Sequence, residues 1–177
     1  MEMRFRRSLS LLSLLLLIVA LSACSPHYNW REAHGENGAF SVLLPAKPSS
    51  YSRPVTLGNT QVSMTMTAAE VDNISFAVGT ALLPNAEQAQ AALAGMRTAL
   101  IANINGVPDQ THIPGTVNGA EMTLDAAASG TLRGKPARLA ARFAAKGPRI
   151  YQILVLGDAK AVTPETLDMF FTSFKAM

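Results

Sequence analysis

The sequence KPARLAARFAAKGPRIYQILVLG, residues 135–157, predicts two neighbouring β-strands. In residues 135–146, apolar side chains alternate with basic or small ones, which is the pattern of a strand with one buried face. Gly147 and Pro148 then supply a turn. Residues 150–156 are almost continuously apolar, as expected for a central strand that is covered on both faces. The segment therefore predicts the middle of a β-sheet.

Further segments with the character of strands lie on the N-terminal side of this pair. They are residues 40–44, 62–68, 74–78, about 109–117 and about 120–129. Asp72 and Asn73 are turn residues, so the second and third segments are predicted to form a hairpin. Pro48 and Pro54 predict a loop between the first segment and the second.

Two amphipathic helices complete the pattern. Asn85 is a cap for the first, whose apolar stripe contains Ala89, Leu93, Met96, Leu100 and Ile104. Thr163-Pro164-Glu165 begins the second, whose stripe contains Leu167, Phe170, Phe171 and Phe174. Hairpins with two such helices predict one α+β domain over residues 39–177, a mostly antiparallel sheet packed with amphipathic helices.

Length and cysteine content limit the possible classes of protein. The chain has 177 residues and a single cysteine. A large multidomain enzyme, a disulfide framework and a structural zinc site made of several cysteines are therefore excluded.

The N-terminus has the features of a secretory signal. Arg4, Arg6 and Arg7 precede an apolar run over residues 9–21, which is too short for a typical membrane span. Residues 1–23 are predicted to be removed. They hold three of the 15 basic and one of the 12 acidic side chains, so 12 and 11 remain, a net charge of about +1. This balance gives no support for binding to nucleic acid.

The signal ends in Leu21-Ser22-Ala23-Cys24, which resembles the lipobox of bacterial lipoproteins. The resemblance implies that Cys24 becomes the first residue and carries the lipid that anchors the protein to a membrane. A conventional signal cut near Ala23, with Cys24 a free thiol, is the alternative. Ser25 stands where an Asp favours retention in the inner membrane, so the expected location is the outer membrane, facing the periplasm. Residues 24–38 are polar and are predicted to be a flexible tether.

Three apolar segments together resemble bacterial members of the PsbP-like group. They are Phe40-Ser41-Val42-Leu43-Leu44-Pro45, residues 151–157 and Phe170-Phe171-Thr172-Ser173-Phe174-Lys175. The resemblance implies an α/β/α sandwich over about residues 39–175, and a role in binding or assembly. These segments carry no functional motif, so no binding residue is transferred from the group.

Motifs for catalysis and cofactors are missing from the sequence. It has no Gly-x-Ser-x-Gly and no Gly-x-x-x-x-Gly-Lys, so neither an enzyme nor a cofactor is expected. His27, Glu32, His34 and Glu36 lack a recognised metal-ligand spacing. Met64 and Met66 share a strand face, where thioethers either bind Cu(I) or pack in a core, and packing is the interpretation adopted. No metal site is predicted.

Basic residues in the quoted segment form the candidate binding site. Those on the strand should project from one face, and the rest lie just beyond it. The candidates are Arg133, Lys135, Arg138, Arg142, Lys146 and Arg149, with no acid between residues 126 and 156. Close to a bilayer, this stripe would bind anionic lipid or an acidic envelope protein. A solvated strand face balanced by acids from elsewhere in the fold is the alternative.

These observations predict a non-catalytic envelope lipoprotein that binds or stabilises a partner at the membrane surface. A small-ligand carrier with a pocket between sheet and helix is the second hypothesis. A hydrolase is the third, since residues of a catalytic triad need not be close in sequence.

Overall fold

The computed structural model describes residues 28–177, so the predicted signal peptide and Cys24 lie outside the described residues. The described part contains ten strands and two α-helices. In chain order they are β1 (Arg31–His34), β2 (Phe40–Leu44), β3 (Ser49–Leu57), β4 (Thr60–Val71), β5 (Ile74–Leu82), α1 (Ala86–Ala102), β6 (Val107–Pro108), β7 (Met122–Leu132), β8 (Lys135–Lys146), β9 (Arg149–Asp158), α2 (Pro164–Ser173) and β10 (Lys175–Ala176).

Seven strands form one antiparallel main sheet, in the order β3-β4-β5-β9-β8-β7-β6. β1, β2 and β10 form a small second sheet with β2 in its centre. α1 packs on one face of the main sheet, chiefly against β7 and β8. α2 and the small sheet cover the other face. The α+β class and its mostly antiparallel sheet are therefore confirmed.

The central strand pair was predicted correctly. β8 and β9 pair from Ala137 with Asp158 to Lys146 with Arg149, and β9 lies between β8 and β5. Ile150, Tyr151, Ile153 and Val155 are at most 1% exposed. Because both faces of β9 are covered by other layers, a nearly continuous apolar run is what this position requires.

Both helices begin where their caps predicted. The Asn85 side chain accepts a hydrogen bond from the backbone N–H of Gln88 at 2.8 Å. The Thr163 hydroxyl oxygen accepts one from the N–H of Thr166, and Pro164 occupies the first turn. Each cap satisfies a backbone donor that the first turn of a helix leaves without a partner.

Met64 and Met66 lie in the core on the α1 side of the sheet, 4% and 6% exposed. The Met66 sulfur fills the space that a Cβ atom on Gly79 of the neighbouring strand would occupy. Gly79 therefore makes room for the thioether, which is a packing role for this pair.

The loop predicted around Pro54 is wrong, because residues 49–57 form β3. β3 lies at the edge of the main sheet. A proline is tolerated there because the side of its backbone that lacks an N–H donor can face away from the neighbouring strand. Hydroxyl pairs hold β3 to β4: Ser50 with Thr67 at 2.9 Å and Ser52 with Thr65 at 2.7 Å. Most side chains of β3 are exposed, so its sequence shows no alternation of apolar and polar residues.

The strand predicted at 109–117 is also wrong. Residues 109–121 form an irregular loop, here called the clamped loop, between the two-residue strand β6 and β7. Ile113 and Val117 are buried apolar residues, and their presence in this segment favoured the prediction of a strand. Pro114 and Gly115, the latter with φ near +75°, interrupt extended backbone between them.

Much of the segment predicted as a tether belongs to the folded domain. β1 pairs with β2, from Arg31 with Leu44 to His34 with Ser41. Before it, the rings of Tyr28 and Trp30 pack on Phe76, with centroid distances of 6.2 and 5.9 Å. Only Ala33 of β1 is buried, so the sequence showed no apolar periodicity here. The rest of the predicted tether, residues 24–27, lies outside the described residues.

Candidate functional site

The six predicted basic residues do not form one surface. Arg133 and Lys135 lie at one end of β8, while Lys146 and Arg149 lie at the other. The eleven steps from Lys135 to Lys146 span about 36 Å at the usual rise of a strand. Arg138 and Arg142 lie between the two ends, on the face that α2 covers. The predicted stripe is thus divided into three parts with different surroundings.

Arg142 is a correction to the predicted site, because its guanidinium is used inside the domain. The residue is 8% exposed. Its Nε and one Nη donate to both carboxylate oxygens of Asp125, at 2.7 and 2.8 Å. The remaining donors bind the carbonyl oxygens of Ile113, Pro114 and Gly115. All five N–H groups of the guanidinium are therefore satisfied.

The partner of Arg142 lies across the sheet on β7, so the pattern of residues along β8 gives no signal for it. Asp125 stands just outside the acid-free interval from 126 to 156, and on β7 it is directly opposite Arg142. Cross-strand neighbours are the nearest residues in a sheet. Once β7 and β8 were predicted to pair, their register would have given this contact.

Two further contacts fix the clamped loop at its ends. The Asp109 carboxylate accepts hydrogen bonds from the Thr111 N–H and the Ser129 hydroxyl, both at 2.9 Å. At the other end, the Glu121 N–H donates to the Ala145 carbonyl at 2.9 Å. Together with Arg142, these contacts hold the loop in one conformation although it has no regular secondary structure.

The pKa of Asp109 reflects this environment. Burial by itself raises the pKa, but the hydrogen bonds from Thr111 and Ser129 and the charge of Arg138 outweigh burial and lower it below 3.8. A carboxyl group with a lowered pKa in the folded state stabilises the fold above its unfolded-state pKa. That contribution is lost as the pH falls through the lowered value.

We therefore expect the clamped loop to loosen in acid, at pH values below about 3.8. Asp109→Ala should produce the same change at neutral pH, with a loss of about 1–2 kcal/mol, since two hydrogen bonds to a charged acceptor disappear. Hydrogen exchange of the Thr111 amide measures both effects. Asp168→Ala, at an exposed carboxylate on α2, is the control and should leave this amide protected. Equal protection in the two variants would contradict the role given to Asp109.

The clamped loop and α2 form the walls of an open groove of about 770 Å³. Thr111, His112 and Pro114 contribute from the loop, while α2 contributes Pro164, Glu165, Leu167, Asp168 and Met169, and Arg138 contributes from β8. His112 is exposed on the wall of this groove. The α2 residues in this set had no distinguishing sequence signal, because only the packing of the helix beside the loop brings them here.

The groove combines an apolar surface with a few charges. Met169 is 44% exposed on its wall. Glu165 contributes an exposed carboxylate, and hydrogen bonds from its own backbone N–H and the Thr163 side chain lower its pKa. Arg138 brings a cation from the sheet. Apolar walls with a small number of placed charges are typical of binding sites.

The chain enters the domain at one end of the main sheet, here called the entrance end. The Asn29 N–H donates to the Pro45 carbonyl at 2.9 Å, and Trp30 packs on Phe76 near the start of β5. The turns between β4 and β5 and between β7 and β8 lie at this end, as does the connection from β9 to α2. Arg133 and Lys135 are exposed there.

The opposite end carries the other two basic residues. Lys146 donates to the carbonyl of Ala176 in β10 at 3.3 Å. Arg149 lies beside a second open groove, of about 660 Å³, which is rich in hydroxyl groups. There the Thr65 hydroxyl donates to the Glu36 carboxylate at 3.1 Å. This surface is polar and is separated from the first groove by the length of the strands.

Among residues 28–177, no group of three or more His, Cys, Asp or Glu side chains is placed to hold a metal ion. No helix in the same range is long and apolar enough to cross a bilayer. Comparisons of the chain with family models, with curated proteins and with solved structures found no match.

Proposed function

We propose that the chain is a lipoprotein of the bacterial envelope, anchored through Cys24 in the outer membrane and facing the periplasm. Its folded domain is a non-catalytic binding or assembly module. The groove between the clamped loop and α2 takes a segment of another envelope protein. Apolar side chains of that segment would pack on Met169 and Pro114, and an acidic side chain would pair with Arg138.

The Arg142 clamp carries this proposal. Loops as long as residues 109–121 without secondary structure are uncommon in compact domains and are usually functional or disordered. Three hydrogen bonds from the buried Arg142 guanidinium go to carbonyl oxygens of this loop, and its other two go to Asp125 on β7, so the loop is tied to the main sheet. Fixing a binding surface before the partner arrives reduces the entropy lost on association.

We further propose that the domain has the PsbP-like fold, and the order of its layers supports this. α1 covers one face of the antiparallel sheet, and α2 with the small sheet covers the other, which is an α/β/α arrangement. The three segments behind the resemblance fall in β2, in β9 and at the end of α2. All three lie in or beside the apolar cluster that contains Phe76.

Crosslinking from a residue on the groove wall tests whether the groove binds another protein. A photoreactive amino acid at Met169, 44% exposed on the groove wall, should yield a discrete crosslinked product in intact cells. The same group at Tyr51, 53% exposed on the edge strand β3, is the control and should not yield that product. Adding Arg138→Glu should reduce the yield from position 169 several-fold. Identical products from both positions, or none from position 169, would contradict the assignment.

The anchor is tested at Cys24. Cys24→Ser should abolish labelling by fatty acid and release the protein from the membrane fraction, because the thioether to the lipid requires the sulfur. Persistent membrane association of the unlabelled variant would argue for a conventional signal or for another means of attachment.

A small-ligand carrier is the second candidate, because the volume of the groove lies within the usual range for small-molecule sites. The purified, folded protein separates the two hypotheses. A carrier should retain a defined small molecule in native mass spectrometry, and Arg138→Glu should remove it. A binding module should show only the mass of the protein itself in native mass spectrometry. Its groove should then be occupied only when the crosslinked partner protein is present.

A further inference from the structure

We infer that the entrance end of the domain lies against the lipid headgroups, with Arg133 and Lys135 in contact with their phosphates. This inference rests on the proposed acylation of Cys24. It assigns two of the six candidate residues to the membrane surface and directs the other end of the sheet away from it.

The first support is the length of chain outside the described residues. Tyr28 packs on Trp30 and Phe76, so the domain begins there. From Cys24 to Tyr28 there are four residue steps, which span at most about 14 Å when fully extended. The β7–β8 hairpin alone runs farther than this along the sheet. An anchor at Cys24 therefore keeps the entrance end near the headgroups, while the opposite end is not tied to them.

The second support is the placement of charges at the entrance end. Arg133 stands at the tip of the β7–β8 hairpin, in the left-handed region with φ near +51°, and Lys135 follows one residue beyond the tip. Lys47 and Lys160 are also exposed at this end. Glu70, Asp72, Asp158 and Glu165 at the start of α2 balance much of this charge, and the Asp158 carboxylate accepts the backbone N–H of Lys160 at 2.8 Å.

Because positive and negative charges nearly balance at the entrance end, the acyl chains and the two basic side chains have different roles. Acyl chains hold the protein on the membrane, with a free energy that grows with every buried methylene. Each basic residue near an anionic surface strengthens attachment by only roughly fivefold. The entrance-end cations therefore orient the domain and do not retain it.

Orientation is measured with two matched labels on β7. Thr131 and Thr123 are both exposed and lie eight residues apart, about 27 Å along the strand. Each is replaced by cysteine in the acylated full chain, labelled with a fluorophore, and reconstituted in vesicles that carry a quencher at the headgroup. We expect strong quenching at position 131 and weak quenching at position 123.

The headgroup contact is tested in the same vesicles. With phosphatidylglycerol present, Arg133→Glu with Lys135→Glu should reduce the contrast between the two labels by about threefold, since both attractions become repulsions. Lys146→Glu with Arg149→Glu reverses as many charges at the far end and should leave the contrast unchanged. In vesicles of phosphatidylcholine alone, the first double variant should lose its effect.

Each contrary result points to one part of the inference. Equal quenching at the two positions in acylated, membrane-bound protein would overturn the orientation. If the difference in quenching between positions 131 and 123 is unchanged in the variant Arg133→Glu with Lys135→Glu, the contact with phosphate is overturned. A protein mass without acyl chains would contradict the anchoring proposal, and this inference with it, whatever the quenching shows.

Discussion

Replacing Arg142 with methionine is expected to lower the free energy of unfolding by about 3 kcal/mol. The change removes the only cation paired with Asp125 in the described residues and leaves three loop carbonyls without the guanidinium donors. Removing one partner of a buried pair costs about 3–5 kcal/mol, and the lower end applies because the Asp125 side chain is 45% exposed. In a domain of this size, thermal denaturation should show a fall in Tm of about 9 °C.

Lys146→Met is the matched control for this experiment. Lys146 lies on the same strand, is partly exposed, and makes a single hydrogen bond, to Ala176. Its replacement should cost about 0.5 kcal/mol. Similar losses in the two variants would show that the guanidinium does not hold the loop. If Arg142→Met fails to fold, Asp125→Asn breaks only the ionic part of the contact and should still accelerate hydrogen exchange in residues 111–117.

Replacing Phe76 with alanine is expected to have the largest effect, a loss of about 4 kcal/mol. Phe76 is fully buried and lies between Trp30, Tyr28 and Phe170, with centroid distances of 5.9, 6.2 and 5.5 Å. Truncation leaves a cavity where several layers meet, and buried Phe→Ala changes typically cost about 3–5 kcal/mol. Denaturant unfolding followed by the emission of Trp30, the single tryptophan of the chain, measures the loss.

The same variant should also alter the segment that precedes β1. Without the ring of Phe76, Trp30 becomes solvated, so its emission should shift to longer wavelength even in the folded protein. Tyr51→Ala removes an aromatic side chain that is 53% exposed on β3, and should cost no more than about 0.5 kcal/mol with unchanged emission. An unshifted spectrum in Phe76→Ala would show that Trp30 packs elsewhere.

Elements with strong local signals were predictable from the sequence. The apolar run of β9, the Asn85 and Thr163 caps and the hairpin at Asp72-Asn73 each follow from chemistry within a few residues. β1 and β3 escaped prediction because their side chains are largely exposed and their stability comes from pairing with distant strands. Local apolar periodicity carries no information about such edge strands.

The candidate site was predictable only in part. Alternation along β8 correctly put Arg138 and Arg142 on one face, but their surroundings depend on where α2 and the clamped loop pack. Arg142 is buried because its carboxylate partner on β7 and three carbonyls surround it. Arg138, four residues away, stays partly exposed beside the groove. Two similar residues therefore have different roles, which the pattern of one strand does not distinguish.

The small sheet constrains the order in which this domain is completed. β2, near the start of the domain, pairs with β10, and the single proton of the Tyr151 hydroxyl is within hydrogen-bond distance of the carbonyl oxygens of both Ala39 and Met177, at 3.1 and 3.3 Å. A chain that emerges N-terminus first cannot close this sheet until its last strand is available. Contacts between such distant residues slow folding. The small sheet, and with it part of the cover over the α2 face of the main sheet, is therefore expected to form late in folding, after β9 and α2 have taken their places.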